Sequence, residues 1–353
     1  MAAKPEFDGV LACPAPLPAI ERVLLGHGSG GKLSAQLVER VFLPAFGNPT
    51  LDQLNDQATF SIDGVRLAMT TDSFVVKPLF FPGGDIGSLA VHGTVNDLAM
   101  GGARPLYLSV AFILEEGLPL ETLQRVVDSL HQAARKAGVE IVTGDTKVVE
   151  QGKGDGLFIN TTGIGLVPDN LTLGADQARP GDKIILSGSL GDHGICILAQ
   201  REGLEFETTI QSDSAPLHGL VDGILATGAA IRCMRDPTRG GLSSSLNEIA
   251  TRSQVGMVID EDQIPVKEEV RGACELLGLD PLYVANEGKM IAIVEPSAAD
   301  RVIEAMRSHQ HGREARVIGT VVDQHRGTVV MKTAFGTTRI VDMLAGDQLP
   351  RIC

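Results

Sequence analysis

The chain has 353 residues, 43% of them hydrophobic, with a mean hydropathy of +0.12, which is enough for a sizeable core and suggests two domains of ordinary size. A net charge of −14 with no block of Lys or Arg excludes nucleic acid and anionic membrane surfaces as partners. No apolar run approaches membrane-spanning length, and the first residues carry acids and prolines where a signal peptide needs a basic start. The five Cys, at 13, 196, 233, 274 and 353, show no C-x-x-C spacing, so a cytoplasmic chain without a disulfide framework or zinc site is expected.

In chain order, Gly26-His27-Gly28-Ser29-Gly30-Gly31-Lys32 precedes an amphipathic run, residues 33–42. A loop with many free N–H groups before a helix start is a fair anion cradle. It is not a Walker A loop, because Leu33 follows Lys32, and taken by itself it reads first as a plain turn. Residues 65–71 read as a buried strand that delivers Asp72 and Ser73 at its end. After the turn Pro82-Gly83-Gly84-Asp85, residues 86–100 have helical periodicity and carry Asn96-Asp97 on an apolar face. Such a pair costs free energy unless satisfied, and a ligand or metal is one way to satisfy it. Residues 106–112 form a second strand, 118–137 an amphipathic helix closed by Gly138, and 139–142 a third strand ending in Thr143-Gly144-Asp145-Thr146-Lys147. A fourth strand covers 159–163.

Three acids, Asp72, Asp97 and Asp145, thus sit at element ends or on an apolar face among glycines and a Lys. Hard cations such as Mg²⁺ take carboxylate and phosphate oxygens, so the pattern fits a nucleotide-phosphate site without a P-loop. The alternative for any one of them is a helix cap or a solvated loop acid.

A second half begins near Gly174. It repeats strand, polar-glycine turn and helix: residues 183–188 before Leu190-Gly191-Asp192-His193-Gly194, then Asp236-Pro237-Thr238-Arg239-Gly240-Gly241 before a helix over 243–252. Ala285-Asn286-Glu287-Gly288-Lys289 then leads into a strand over 290–294. Two similar α/β domains facing each other across the polar turns are expected. The chain closes on Leu349-Pro350-Arg351-Ile352-Cys353. Pro350 suits neither helix nor ladder, and an extended tail from Asp342 could reach about 40 Å, so a mobile arm presenting a thiol is expected. The alternative is a ragged terminus that happens to carry Cys.

Together, Gly26-His27-Gly28-Ser29-Gly30-Gly31, Thr71-Asp72-Ser73, Pro82-Gly83-Gly84-Asp85, Asn96-Asp97-Leu98-Ala99, Thr143 to Lys147, Asp236 to Gly241, Ala285 to Lys289 and Pro350-Arg351-Ile352-Cys353 resemble the HypE family of hydrogenase maturation factors. That family is a branch of the ATP-using PurM-like (AIR synthetase) superfamily, and the resemblance runs from about Leu25 to Cys353. It implies an α/β (α+β) fold of two PurM-like domains: residues 1–24 as an extension, a ferredoxin-like, dimerising, ATP-binding half over 25–172, a C-terminal α/β half over 173–342, and a flexible tail over 343–353. It further implies a homodimer and an ATP-dependent carbamoyl dehydratase. In that reaction HypF carbamoylates Cys353, ATP and Mg²⁺ drive dehydration of the thiocarboxamide to a thiocyanate, and the cyano group passes to iron held by HypC and HypD.

With that chemistry, the resemblance assigns roles. Asp72, Asp97 and Asp145 hold Mg²⁺ and the triphosphate, with Asp85 as a fourth acid. Lys147 stabilises developing charge, and Glu287 is the base, the alternative being a structural acid paired with Lys289. His27 and the loop through Gly30 close over phosphate, while Asn96 and Asn160 orient nucleotide. Asp236 and Arg239 line a channel for the tail, unless Asp236-Pro237 is only a helix-entry turn. The residues themselves add two readings: the α-carboxylate of Cys353 should raise its thiol pKa, which makes Arg351 the local candidate for a helping cation, and His193 and Cys196, on one helix without further ligands, read as structural.

Overall fold

The structure, a computed structural model, describes residues 22–204, 210–346 and 351–353. Its first half is built on strands β1 (Ala58–Ile62), β2 (Val65–Phe74), β3 (Arg104–Glu115), β4 (Glu140–Val149) and β5 (Leu157–Leu166), in the sheet order β1-β2-β5-β3-β4. Neighbours are antiparallel except β3 and β4, which the crossover helix α2 (Leu120–Ala137) joins in parallel. The apolar stripe of α2, Val126, Leu130, Ala133, Ala134 and Ala137, is buried, and Gly138 ends it at φ +68°.

Helix α1 (Ile86–Met100) links β2 to β3 and buries thirteen of its fifteen residues. It is apolar all round because it packs on the first sheet on one side and on the second half on the other: Val91 and Val95 enter one core, Ala99 and Met100 another. The opposite face of the first sheet is open. There Met69, Ile164 and Tyr107 lie side by side on β2, β5 and β3, each partly exposed.

The second half has a seven-stranded sheet of β6 (Lys183–Leu186), β7 (Ile231–Arg235), β8 (Gly256–Asp260), β9 (Ile291–Val294), β10 (Arg316–Val322), β11 (Val329–Lys332) and β12 (Thr338–Val341), ordered β12-β11-β8-β10-β6-β9-β7. Its helices are α3 (Asp192–Glu202), α4 (His218–Ala226), α5 (Gly241–Ser253), α6 (Glu268–Leu277) and α7 (Ala299–Ser308). The central strands are unbroken apolar runs because both faces are covered. Leu186 and Ile291 pack with α5, while Ile185 and Ala292 pack with α4 and α7. One further core runs across both halves, joining Phe74 and Leu89 to Ile195, Val270, Ile352 and Cys353. Among the described residues, no helix is long and apolar enough to cross a membrane.

One feature differs from the sequence-based expectation, and the end of the tail adds a second that the sequence did not show. Strand β4 does not stop at Val142 but keeps its ladder with β3 as far as Val149, so Asp145 and Lys147 lie within a strand and not on a turn after it. The last three residues are docked: the Val75 N–H donates to the Cys353 carbonyl at 3.0 Å and the Lys77 N–H to the Arg351 carbonyl at 3.3 Å. Ile352 and Cys353 are buried, and Arg351 has a left-handed backbone, φ +56°.

Candidate functional site

Where the end of β2, the middle of α1 and the 236–241 loop meet, a cavity of about 310 Å³ opens. Thr70, Thr71 and Asp72 come from β2, Asp97 from α1, and Arg235, Asp236, Thr238 and Arg239 from β7 and the loop after it. Ser244, Ser245 and Glu248 come from α5, and Asp56, Glu287 and Cys353 complete the wall.

The cavity is a crowd of carboxyls. Burial raises Asp97 well above the ordinary carboxylate range, and the neighbouring Asp236, Asp56 and Asp72 raise it further; only the Thr70 hydroxyl, donating to its Oδ2 at 2.8 Å, acts the other way. Burial, with Asp56 next, lifts Asp236 to about 8. Asp72 and Glu287 are raised for the same first reason. Two arginines answer this charge. Arg235 Nη2 lies 3.3 Å from Asp56 and 2.5 Å from Glu248, and Arg239 Nη2 lies 3.6 Å from Asp72.

The Cys353 sulfur sits in this wall together with the Glu287 carboxyl. Burial pushes its thiol far above the usual range, Arg239 opposes that, and Glu287 and Asp72 add to it. The cation that faces the sulfur is therefore Arg239. Arg351, expected in that place, is turned away to an ion pair with Asp155 and to the Val75 carbonyl. The tail is gripped by His193 instead, whose Nε2 donates to the Ile352 carbonyl at 2.9 Å.

The other expected residues divide. Asp72, Asp97, His27, Gly30 and Glu287 line the cavity. Gly30, at φ +73°, is packed so tightly that a Cβ there would come within 2.5 Å of the Arg239 carbonyl, which ties the glycine loop to the second half. Asp85 is not at the cavity: it is the N-cap of α1, accepting from the Gly87 and Ser88 amides and from Ser129. Asn96 is satisfied by protein, donating to the Ala215 and Glu287 carbonyls at 3.0 and 3.3 Å and accepting from Leu217 N–H at 2.8 Å. It fastens α1 to the second half and leaves nothing for a ligand. Asn160 holds the end of β2 through the Asp72 carbonyl at 2.9 Å. Asp145 and Lys147 form an exposed pair 2.8 Å apart, outside the cavity of the single chain. Asp56, Arg235, Ser244 and Glu248 carry no sequence signal beyond Ser244 standing in the first turn after the Gly240-Gly241 pair.

A nucleotide phosphate fits what is unsatisfied here. Ser244 Oγ is buried without a partner and can donate to a phosphate oxygen, and α5 starts at the cavity behind Gly240 and Gly241, at φ +78° and +62°; Glu287 Oε1, also without a partner, is an acceptor and suits a proton donor instead. Among the described residues, no three His, Cys, Asp or Glu side chains form a cage that could hold a metal alone. Mg²⁺ commonly takes only one or two carboxylates and completes its shell with phosphate and water, and the mutually repelling Asp72 and Asp97 suit that role.

Two family models match the chain: "AIR synthase related protein, N-terminal domain" over residues 54–167, and "AIR synthase related protein, C-terminal domain" over residues 179–332. Carbamoyl dehydratase HypE of Azotobacter vinelandii is 64% identical over 328 residues, covering 93% of this chain and 96% of that protein. The chain belongs to the HypE family. Among solved structures, a HypE–HypF complex superposes with a TM-score of 0.83 at 50% identity, covering 87% of this chain and 99% of that chain. A HypE in complex with ATP gives 0.80 at 52%, covering 94% and 100%.

Proposed function

We propose that the chain is an ATP-dependent carbamoyl dehydratase of hydrogenase maturation, acting on a carbamoyl group carried by its own Cys353 and so supplying cyanide ligands for the iron of [NiFe] hydrogenases. One observation carries the reading: the Cys353 sulfur shares with Glu287 and Arg239 the wall of an acid-lined cavity where the unsatisfied Ser244 hydroxyl and the start of α5 suit phosphate. The proposed partners are HypF as carbamoyl donor, the HypC–HypD complex as acceptor and a second copy of the chain, all in the cytoplasm.

The chemistry balances as thiocarboxamide plus ATP giving thiocyanate, ADP and phosphate. Oxide is a poor leaving group, so the γ-phosphoryl is transferred to the carbamoyl oxygen while one N–H proton departs and C=N forms. The C–O bond then breaks, the oxygen leaves within phosphate, and loss of the second N–H proton gives C≡N. Glu287 would take a proton from nitrogen: it lines the same cavity wall as the sulfur that carries the group, and its raised pKa makes its ionised form a stronger base. Arg239 faces the same sulfur and counters negative charge there. Asp72 and Asp97 would hold Mg²⁺, whose contribution is to neutralise the triphosphate.

Asp145 and Lys147 enter through the dimer. Asp145 pairs with Ala111, Ala111 with Asn160, and Asn160 with Ser73, one row across the sheet. Three strand spacings put Asp145 about 14 Å from β2, so it serves a site completed by a second copy on the open face. The experiment is mass spectrometry of the C-terminal peptide after incubation with HypF and carbamoyl phosphate. ATP should then remove the mass of one water from the carbamoylated form, and Asp97→Ala should block the loss. A carbamoylated peptide whose mass ATP leaves unchanged ends the reading.

A further inference from the structure

Each backbone carbonyl of the last three residues accepts a hydrogen bond. Arg351 O takes one from Lys77 N–H at 3.3 Å and one from Arg201 Nη2 at 2.8 Å, and Cys353 O takes one from Val75 N–H at 3.0 Å. Those bonds hold the outer residues. The carbonyl between them, Ile352 O, is met by one side chain, His193, from the first turn of α3.

The Ile352 carbonyl fixes one nitrogen of that imidazole, and burial fixes the other. A carbonyl only accepts, so Nε2 carries a hydrogen. Nδ1 lies 2.7 Å from Ser212 Oγ, which accepts from the Ser214 amide at 3.1 Å and, opposite a neutral ring, gives its own hydrogen to Nδ1. Burial favours the neutral ring, while Asp213 and the Ile352 carbonyl pull the other way without overcoming it. The edge of Phe81 closes one side, with ring centroids 5.6 Å apart, and Ser212 is fixed by its amide donating to Pro82 O at 2.8 Å. His193 is thus set in orientation before the tail arrives and has one donor free for it.

We propose that His193 is the latch of the docked tail. It is a positioning residue whose Nε2–H selects the register that brings Cys353 to Glu287 and Arg239, and so governs how the tail divides its time between the cavity and the outside. The inference rests on the dehydratase reading for its consequence but not for its geometry. Loss of the donor leaves Ile352 O buried and unpaired, which disfavours docking on the order of tenfold. Water loss from the carbamoylated peptide then slows by a similar factor, while carbamoyl acceptance from outside is not slowed.

The test uses the full chain with His193→Leu, which has no donor, and His193→Gln, whose amide can donate. Iodoacetamide labelling is read by mass spectrometry at the Cys353 peptide alone, so other thiols do not interfere. H193L should label roughly tenfold faster than the parent chain, and H193Q should restore most of the protection. Equal labelling of H193L and the parent overturns the latch, and so does a loss of protection that H193Q does not recover. If ATP fails to remove water from the parent's carbamoylated peptide, the dehydratase reading falls, whereas the labelling comparison still decides the latch.

Discussion

Arg239 reaches the Asp72 carboxylate at 3.6 Å while its Nη1 donates to the Gly28 carbonyl at 3.2 Å, so one guanidinium ties the glycine loop, the end of β2 and the tail's sulfur together. It also lowers the pKa that burial and the other acids raise at Glu287. In Arg239→Met the acid limb of the pH profile for dehydration should move toward higher pH by roughly one unit, and the rate at pH 7 should fall about tenfold. An unmoved acid limb would show that Arg239 and Glu287 do not communicate.

Protons and a divalent cation compete for the same acids. Asp236 titrates at about 8, so near neutrality the folded protein holds a proton that the unfolded chain, at the ordinary carboxylate value, has released. The stability tied to that proton is present at low pH and is lost as pH rises through about 8. Binding of Mg²⁺ with ATP should expel it. Calorimetry at pH 7 in buffers of different ionisation enthalpy should give different heats, and Asp236→Asn should shrink the difference; identical heats in all buffers would sink the idea.

Acid should unfold the protein from a different place. Burial, then Lys136, His311 and His218, lowers His92 to about 3, and burial likewise lowers His311 to about 4. Both rings stay neutral in the fold while the unfolded chain takes up protons below about pH 6.5, so stability is lost on acidification from there toward pH 3 to 4. For His92 the slope approaches roughly 1.4 kcal/mol per pH unit. Thermal melts between pH 7 and 4 should show the decline, and His92→Gln, which can keep the contact to Ser214, should flatten it.

The open face of the first sheet should bind a second copy. Ile164 lies between Met69 and Tyr107 in one row, so Ile164→Glu puts a charge at the middle of the apolar surface. Size-exclusion chromatography should then show a monomer, with ATP binding weakened because Asp145 and Lys147 no longer meet a partner. An unchanged dimer would place the interface elsewhere.

Much of this was legible in the chain. Residues 86–100 predict α1 to the residue, because apolar positions on every side of a helix mean burial on every side. What periodicity cannot say is who satisfies a buried polar group. Asn96 and Asp97 are neighbours, yet the first is filled by carbonyls from residues 215 and 287 and the second faces the cavity. Asp85 shows the same limit, since cap and ligand use the same residue type. Arg239 was in view within its glycine motif, but Arg351, being near in sequence, looked the better cation. Docking of the tail depends on Val75, Lys77, His193 and Arg201, each at least 150 residues away, and no local pattern announces such contacts.

Arg351 sits at φ +56°, a conformation that costs a residue with a side chain about 1 to 2 kcal/mol. The seated tail is therefore a cocked spring: whichever contact lets go first, that one torsion relaxes and speeds departure. A thiol that must visit two workplaces gains from a short dwell in each, and a chain whose last turn settled comfortably would linger after its cargo was ready.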